Sequence, residues 1–141
     1  MPNTLLKKQG GFTLLELLIV IVIIGILAVL IIPNLVSGPQ RARDSQRKTD
    51  VRNIKTSLET YYNDNNSYPT SATWKTDLSS GTTPYMKNVP ADPKGGADYT
   101  YTPSPSGCAA GACTSYNLST TLENKNDKEA TNGTYTVNSA N

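Results

Sequence analysis

From Phe12 to Ile32 the chain runs for twenty-one residues in which only Thr13, Glu16 and Gly25 break the apolar character. A helix of that length spans ~31 Å, the thickness of the hydrocarbon core of a bilayer. Glu16 sets a carboxylate at the start of this segment. A charge costs about 2.5–3.5 kcal/mol at the centre of a membrane helix and less near its end, and a charge kept at that cost points to a task. Lys7 and Lys8 precede the run and mark a short basic leader. The pattern reads as a processing site, a membrane helix and an assembly switch. A plain signal anchor is the simpler alternative. A cleaved secretory signal fits less well, because the run is long and no Ala-x-Ala site follows it.

Composition narrows the function. The chain has 141 residues and a formal charge of +2. Loss of a leader ending at Gly11 removes Lys7 and Lys8, leaving eleven basic against eleven acidic residues. A global charge excess of the nucleic-acid-binding kind is therefore absent. The chain contains no His, the commonest general base and metal ligand. Nothing in the sequence clusters the remaining reactive side chains, so the expectation is a protein that is not an enzyme. Cys108 and Cys113 enclose four residues, and beyond a membrane anchor such a pair reads as a local disulfide, with two free thiols as the alternative. Two sulfurs without His do not make a structural zinc site.

Pro33 ends the apolar run, and a kink or break is expected there because its ring clashes with the carbonyl of Val29 and it lacks a backbone donor. Gly38-Pro39 is a second weak point. Residues 40–62 then read as an amphipathic helix, with Val51, Ile54, Leu58 and Tyr61/Tyr62 along one stripe. The opposite face carries Arg43, Arg47, Asp50 and Lys55. Asn63-Asp64-Asn65-Asn66-Ser67 supplies turn formers that end it. Beyond Thr70 the chain is rich in Ser, Thr, Asn, Gly and Pro, too poor in aliphatic residues for a core of its own. Three alternating runs read as strands: Tyr99–Thr102, Ser115–Ser119 and Thr134–Val137. Trp74, Leu78 and Tyr85 are expected to cap the helix–sheet core. The fold class is α+β: a long N-terminal helix, membrane-spanning in its first half, with a small antiparallel sheet packed on its second half. The segments are a leader at 1–11, a membrane and assembly helix at 12–35, an amphipathic helix at 36–66 and a polar head at 67–141.

The run Gly10-Gly11-Phe12-Thr13-Leu14-Leu15-Glu16, with its basic leader and apolar helix, resembles a type IV prepilin. Tyr85-Met86-Lys87-Asn88-Val89-Pro90-Ala91-Asp92-Pro93 also resembles the segment before the sheet in the major pseudopilins of type II secretion. The resemblance implies that a prepilin peptidase cuts between Gly11 and Phe12 and that the new amine of Phe12 is N-methylated. It implies that Gly25 and Pro33 bracket a stretch able to lose helix inside a filament. It also brings in a calcium site near the C-terminal end, for which Glu123, Asp127 and Glu129 are weak candidates. They lack the alternate spacing of a regular calcium loop, and an ordinary solvated loop is the stronger reading. No other cofactor is implied.

The function expected from these features is a structural subunit of a type IV pilus or pilus-like filament, polymerised through its N-terminal helix. A secretion pseudopilin is the first alternative, and a competence pilin binding DNA the second. The DNA reading uses the basic stretch at residues 41–55, where six basic residues against two acidic ones give a net +4. Pairing of that stretch with lipid headgroups or neighbouring subunits is the stronger reading, so nucleic acid is a partner only in the lesser alternative. The expected partners are the prepilin peptidase, identical or homologous subunits in a helical homo-oligomer, the inner-membrane assembly machinery and the membrane itself. The expected location is the inner (cytoplasmic) membrane as a single-pass precursor, then an extracellular filament. In such a filament Glu16 of one subunit neutralises the Phe12 amine of its neighbour and so fixes the register, because an unpaired buried charge is far costlier than a paired one.

Overall fold

The structure is a computed structural model and describes residues 11–141; the leader before Gly11 lies outside the described residues. It comprises a helix α1 (Leu14–Asn65), a short helix α2 (Trp74–Ser79) and three strands, β1 (Thr100–Ser104), β2 (Ser115–Thr121) and β3 (Thr134–Asn138). The chain divides into two compact units, one ending at Gly38 and the other spanning Pro39–Asn141.

In the first unit the sequence satisfies membrane length and composition. Leu14–Ile31 has a mean hydropathy of 3.3, and none of it is buried within the subunit. The backbone is helical across Gly25, Pro33 and Gly38-Pro39, so of the kink or break expected at Pro33 the helix shows no break. The reason is local. Proline's fixed φ is itself a helical value, so the chain can stay helical there at the cost of one ladder bond and of the ring's crowding of the carbonyl four residues back.

In the second unit Val51, Ile54 and Leu58 recur at steps of three and four and are fully buried. The helix ends where Asn66 takes a left-handed backbone (φ 53°) and donates its N–H to the Tyr62 carbonyl at 2.8 Å. Asn tolerates that conformation better than most side chains, which is why the Asn-rich run stops the helix. The segment expected to cap the core contains α2, whose Trp74 and Leu78 are buried, while Tyr85 packs against the same core from beyond it.

The sheet is an antiparallel meander in the order β1-β2-β3. Leu118 pairs with Tyr101 on one side and Val137 on the other. Alternation gives each strand one inward row, and Tyr101, Tyr116, Leu118 and Tyr135 point to the helix. β1 runs on to Ser104 through Pro103, which an edge strand tolerates because its outer N–H has no partner to lose. Aromatic rings supply the volume that aliphatic residues do not. Trp74 stacks on Tyr101 at 5.2 Å between centroids, and Tyr68 meets Tyr116 edge-on at 4.7 Å.

Leu118 is fully buried at the centre of this core. Leu118→Ala is expected to cost about 2–5 kcal/mol. Thermal unfolding of the mature protein in detergent, followed by near-UV circular dichroism, checks this; an unchanged Tm would mean that the sheet and helix do not share one core.

Candidate functional site

The N-terminal site is built from consecutive residues. Thr13 donates both its backbone N–H and its hydroxyl to Glu16 Oε2 at 2.8 Å, and the Glu16 N–H donates to Thr13 Oγ1 at 3.2 Å. This is a reciprocal capping box, and it satisfies backbone donors that the first turn leaves open. Glu16 is thus the one carboxylate in the first turn of an apolar helix, held at the end where the helix dipole favours negative charge. Phe12 is 80% exposed, and open space surrounds Gly11. Among the described residues nothing covers Gly11, Phe12 or Glu16, the first two being the expected cleavage pair.

The second cluster lies between α1 and the β2–β3 loop. The stripe of Val51, Ile54 and Leu58 continues toward the N-terminus, at the same three- and four-residue steps, through Arg47 and Asp44. Both are buried, each 3% exposed. Sequence spacing alone puts Arg47 and Asp50 on the outer face; the structure places both inside. The physical reason is that each is fully partnered. Arg47 forks onto Asp92 through Nε (2.6 Å) and Nη2 (3.0 Å), and its Nη1 reaches Asp44 (2.7 Å) and Glu123 (3.1 Å). Asp50 accepts the Tyr99 hydroxyl at 2.7 Å.

Around that centre the helix grips the loop. Arg43 binds Glu123 through two nitrogens at 2.6 and 2.8 Å, the bidentate geometry that carboxylates favour. Lys48 Nζ reaches both Asp127 oxygens at 2.7 Å and Glu129 at 3.1 Å. Arg52 contacts Glu129 at 3.1 Å and donates to the Tyr135 hydroxyl at 3.0 Å. Asp44 in turn accepts the backbone N–H groups of Glu123 (2.9 Å) and Asn124 (2.8 Å). The loop has little regular backbone pairing, and helix side chains provide what a ladder would otherwise supply.

Glu123, Asp127 and Glu129, the calcium candidates, thus lie together but face ammonium and guanidinium groups. Among the described residues no set of three His, Cys, Asp or Glu side chains is grouped to hold a metal ion. Of the six basic residues at 41–55, Arg43, Arg47, Lys48 and Arg52 are taken up by these ion pairs. Asp44 and Asp92 are the members that sequence reasoning misses. The signal for Asp44 is its place on the buried stripe; for Asp92, distant in sequence, there is none. Cys108 and Cys113 form a disulfide, with Cα atoms 5.3 Å apart, and the Cys113 carbonyl accepts the Tyr68 N–H at 2.9 Å. The bridge closes the β1–β2 connection on itself, and the Tyr68 hydrogen bond ties that connection to the segment just after α1.

The electrostatics follow the contacts. The Arg43 guanidinium, helped by Arg47 and Lys94, pushes the Glu123 carboxyl down to about 2. Arg47 lowers Asp92, and Lys48 lowers Asp127. Burial, reinforced by the Asp50 and Glu59 carboxylates, raises the Tyr99 and Tyr116 hydroxyls.

An exposed apolar helix with a carboxylate in its first turn, and a helix-plus-meander head, define the class of pilin-like filament subunits. The comparisons agree. A prokaryotic N-terminal methylation motif matches residues 6–32, and the type II secretion system protein G family model matches residues 34–113. Type II secretion system core protein G of Aeromonas hydrophila is 37% identical over 100 residues, covering 63% of this chain and 70% of that protein. The protein of the same name from Vibrio cholerae is 38% identical over 106 residues, covering 68% and 72%. That of Escherichia coli K12 is 38% identical over 99 residues, covering 62% and 68%. No solved structure gives a significant match. The chain belongs to the type II secretion system protein G family. The filament-subunit expectation stands, and within it the matches fall on the secretion branch that the sequence reading ranks second to a pilus. The family match ends at residue 113, so β2, β3 and the clamped loop lie beyond it.

The clamp makes stability depend on pH in a stated direction. The Glu123, Asp92 and Asp127 carboxyls are depressed in the folded state. Their stabilisation is fully present above the unfolded carboxylate pKa, about 4, and is lost as pH falls through the folded values. The Tm of the mature protein in detergent is expected to stay level from neutral pH to about 5 and to fall steeply between about 4.5 and about 2. A Tm that does not change across that lower window would contradict the clamp.

Proposed function

We propose that this chain is a pseudopilin: a structural subunit that a prepilin peptidase cuts between Gly11 and Phe12, methylates on Phe12, and releases for polymerisation at the inner membrane. The mature helices pack into the core of a filament outside that membrane, and the helix-plus-meander heads coat it. Inner-membrane secretion machinery extracts and stacks the subunits. The role is structural rather than catalytic, and the reading assigns no cofactor.

The observation that carries it is Glu16 at the start of a wholly exposed, membrane-length apolar helix. Moving such a helix from lipid to a protein core exchanges one apolar surface for another, so apolar burial does little to select its position. An ionic pair does select it. The Glu16 carboxylate and the Phe12 amine of a neighbour satisfy each other at one axial offset and leave two uncompensated charges at any other. The DNA-binding alternative gains little support from a basic stretch whose four central cations are engaged by acids of the same chain.

Glu16→Ala makes the helix more apolar and leaves the head untouched. It is expected to give stable, cleaved, membrane-inserted protein with few or no filaments. Expression in cells that assemble the parent filament checks this, with cleavage read by mass spectrometry and filaments counted by electron microscopy. Parent-level filament numbers would remove Glu16 from the assembly mechanism.

A further inference from the structure

Sorted by ion pairs alone, the charges of the head separate along α1. The clamp is balanced: Arg43, Arg47, Lys48, Arg52 and Lys94, five cations, face five carboxylates. Lys75 pairs with Asp98. Among the described residues Arg41, Lys55, Lys87, Lys125 and Lys128 form no ion pair, and of the acids of the head Asp50, Glu59, Asp64 and Asp77 form none. Arg41, Lys48, Arg52 and Lys55 follow one another at steps of seven, four and three, an outer stripe on one side of α1.

Three of the five unpaired cations gather where the chain enters this unit. Arg41 lies two residues past Pro39, with which the unit begins. One turn further on, Asp44 accepts the Asn124 N–H at 2.8 Å, and Arg41 and Asn124 line one groove. Lys125 is the next residue after Asn124. Lys128 follows Asp127, which Lys48 holds at 2.7 Å. Arg41, Lys125 and Lys128 are all exposed, and beside a balanced clamp they are a surplus of three positive charges. The unpaired acids of α1 other than the buried Asp50 stand at its other end. Glu59 and Asp64 are eighteen and twenty-three residues beyond Arg41, about 27 and about 35 Å along the helix.

We infer that Arg41, Lys125 and Lys128 form a docking surface for the anionic headgroups of the bilayer that holds the apolar helix. The chain itself argues for this occupant. No residue between Glu16 and Arg41 is charged, so Arg41 is the first charge beyond the apolar segment. It lies nine residues past Ile32, at most about 32 Å of chain. The anchor thus holds a lipid surface within reach of these cations at high effective concentration. The separation of charge gives the contact a direction. An anionic surface attracts the Arg41 end of the head and repels the Asp64 end. A flat surface also meets only side chains that project. Asp127 is half-buried under Lys48, and Glu129 is bridged by Lys48 and Arg52, so neither offers an unpaired charge against lipid phosphates. A second copy would have to bring its own Asp64 end to this place, and before assembly nothing tethers it there. The inference rests on the reading of Phe12–Ile32 as a membrane segment and not on the Glu16 pairing.

The test uses the full mature chain reconstituted into vesicles of phosphatidylcholine, alone or with about one quarter phosphatidylglycerol. Brief acetylation with acetic anhydride, followed by mass spectrometry, gives the reaction rate of each lysine. Lys125 and Lys128 are expected to react at least about threefold more slowly in the phosphatidylglycerol vesicles, because an anionic surface keeps a nearby amine protonated. High salt is expected to remove the difference. Lys87, two residues from the Tyr85 that binds Asp64, is expected to react alike in both lipids. R41Q breaks no internal ion pair, so it is expected to keep the parent Tm in detergent and to lose at least about half of the slowing. Equal rates in the two lipids, for a chain that alkaline carbonate does not extract, would overturn the inference, and so would equal slowing at Lys87. A chain that carbonate does extract would remove the membrane reading, and the inference with it. No slowing by lipid, together with loss of filaments in cells carrying R41Q/K125Q/K128Q, would assign the three cations to a second copy instead.

Discussion

Arg47 is the contact on which the head depends. Its guanidinium holds Asp44 on its own helix, Asp92 in the segment before the sheet and Glu123 at the end of β2. Three parts of the chain, far apart in sequence, meet at one buried cation. A buried charge is costly to strip of its partners, so any arrangement that moves one of these segments leaves charges uncompensated in a poorly solvated place. The apolar stripe beneath supplies the driving force for collapse, and the ion cluster selects one arrangement of the loops around it.

The two ends of α1 put the same physics to different uses. At Glu16 a carboxylate is kept in an apolar helix where its own subunit offers only Thr13. Its full compensation is left open within the subunit, which is what the proposed role as a register mark for assembly requires. At Arg47 the compensation is complete within the chain, which makes it a fixed point of the head. The outer stripe from Arg41 to Lys55 is intermediate: Lys48 and Arg52 are paired within the chain, while among the described residues Arg41 and Lys55 form no ion pair.

Much of this was legible in the sequence because it depends on local pattern. The length of the apolar run, the three- and four-residue spacing of Val51, Ile54 and Leu58, and the alternation at Tyr116 and Leu118 each report one face of one element. The disulfide was legible for the same reason, since its two sulfurs are near neighbours. What escaped was set by contacts between distant residues. Arg47 looks like a solvent-facing cation until Asp92 and Glu123 are brought to it. Asp92 sits in a loop with no periodicity to mark it. Pro33 looks like a stop, yet the helix runs through it, since proline's fixed φ is a helical value. The basic stretch looked like a row of cations awaiting lipid or a neighbouring subunit because its acids come from a loop about 80 positions away, as for Arg43 and Glu123.

The central claim is that Arg47, buried with Asp44, and the half-buried Asp92 and Glu123 act as one unit. A double-mutant cycle with Arg47→Met and Glu123→Gln measures it most directly, using denaturant unfolding of the mature protein in detergent at neutral pH. The account expects each single change to destabilise the head and the pair to cost less than the sum, with a coupling energy of about 1–3 kcal/mol. Strict additivity would mean that Arg47 and Glu123 are neighbours without mutual dependence, and would contradict the account.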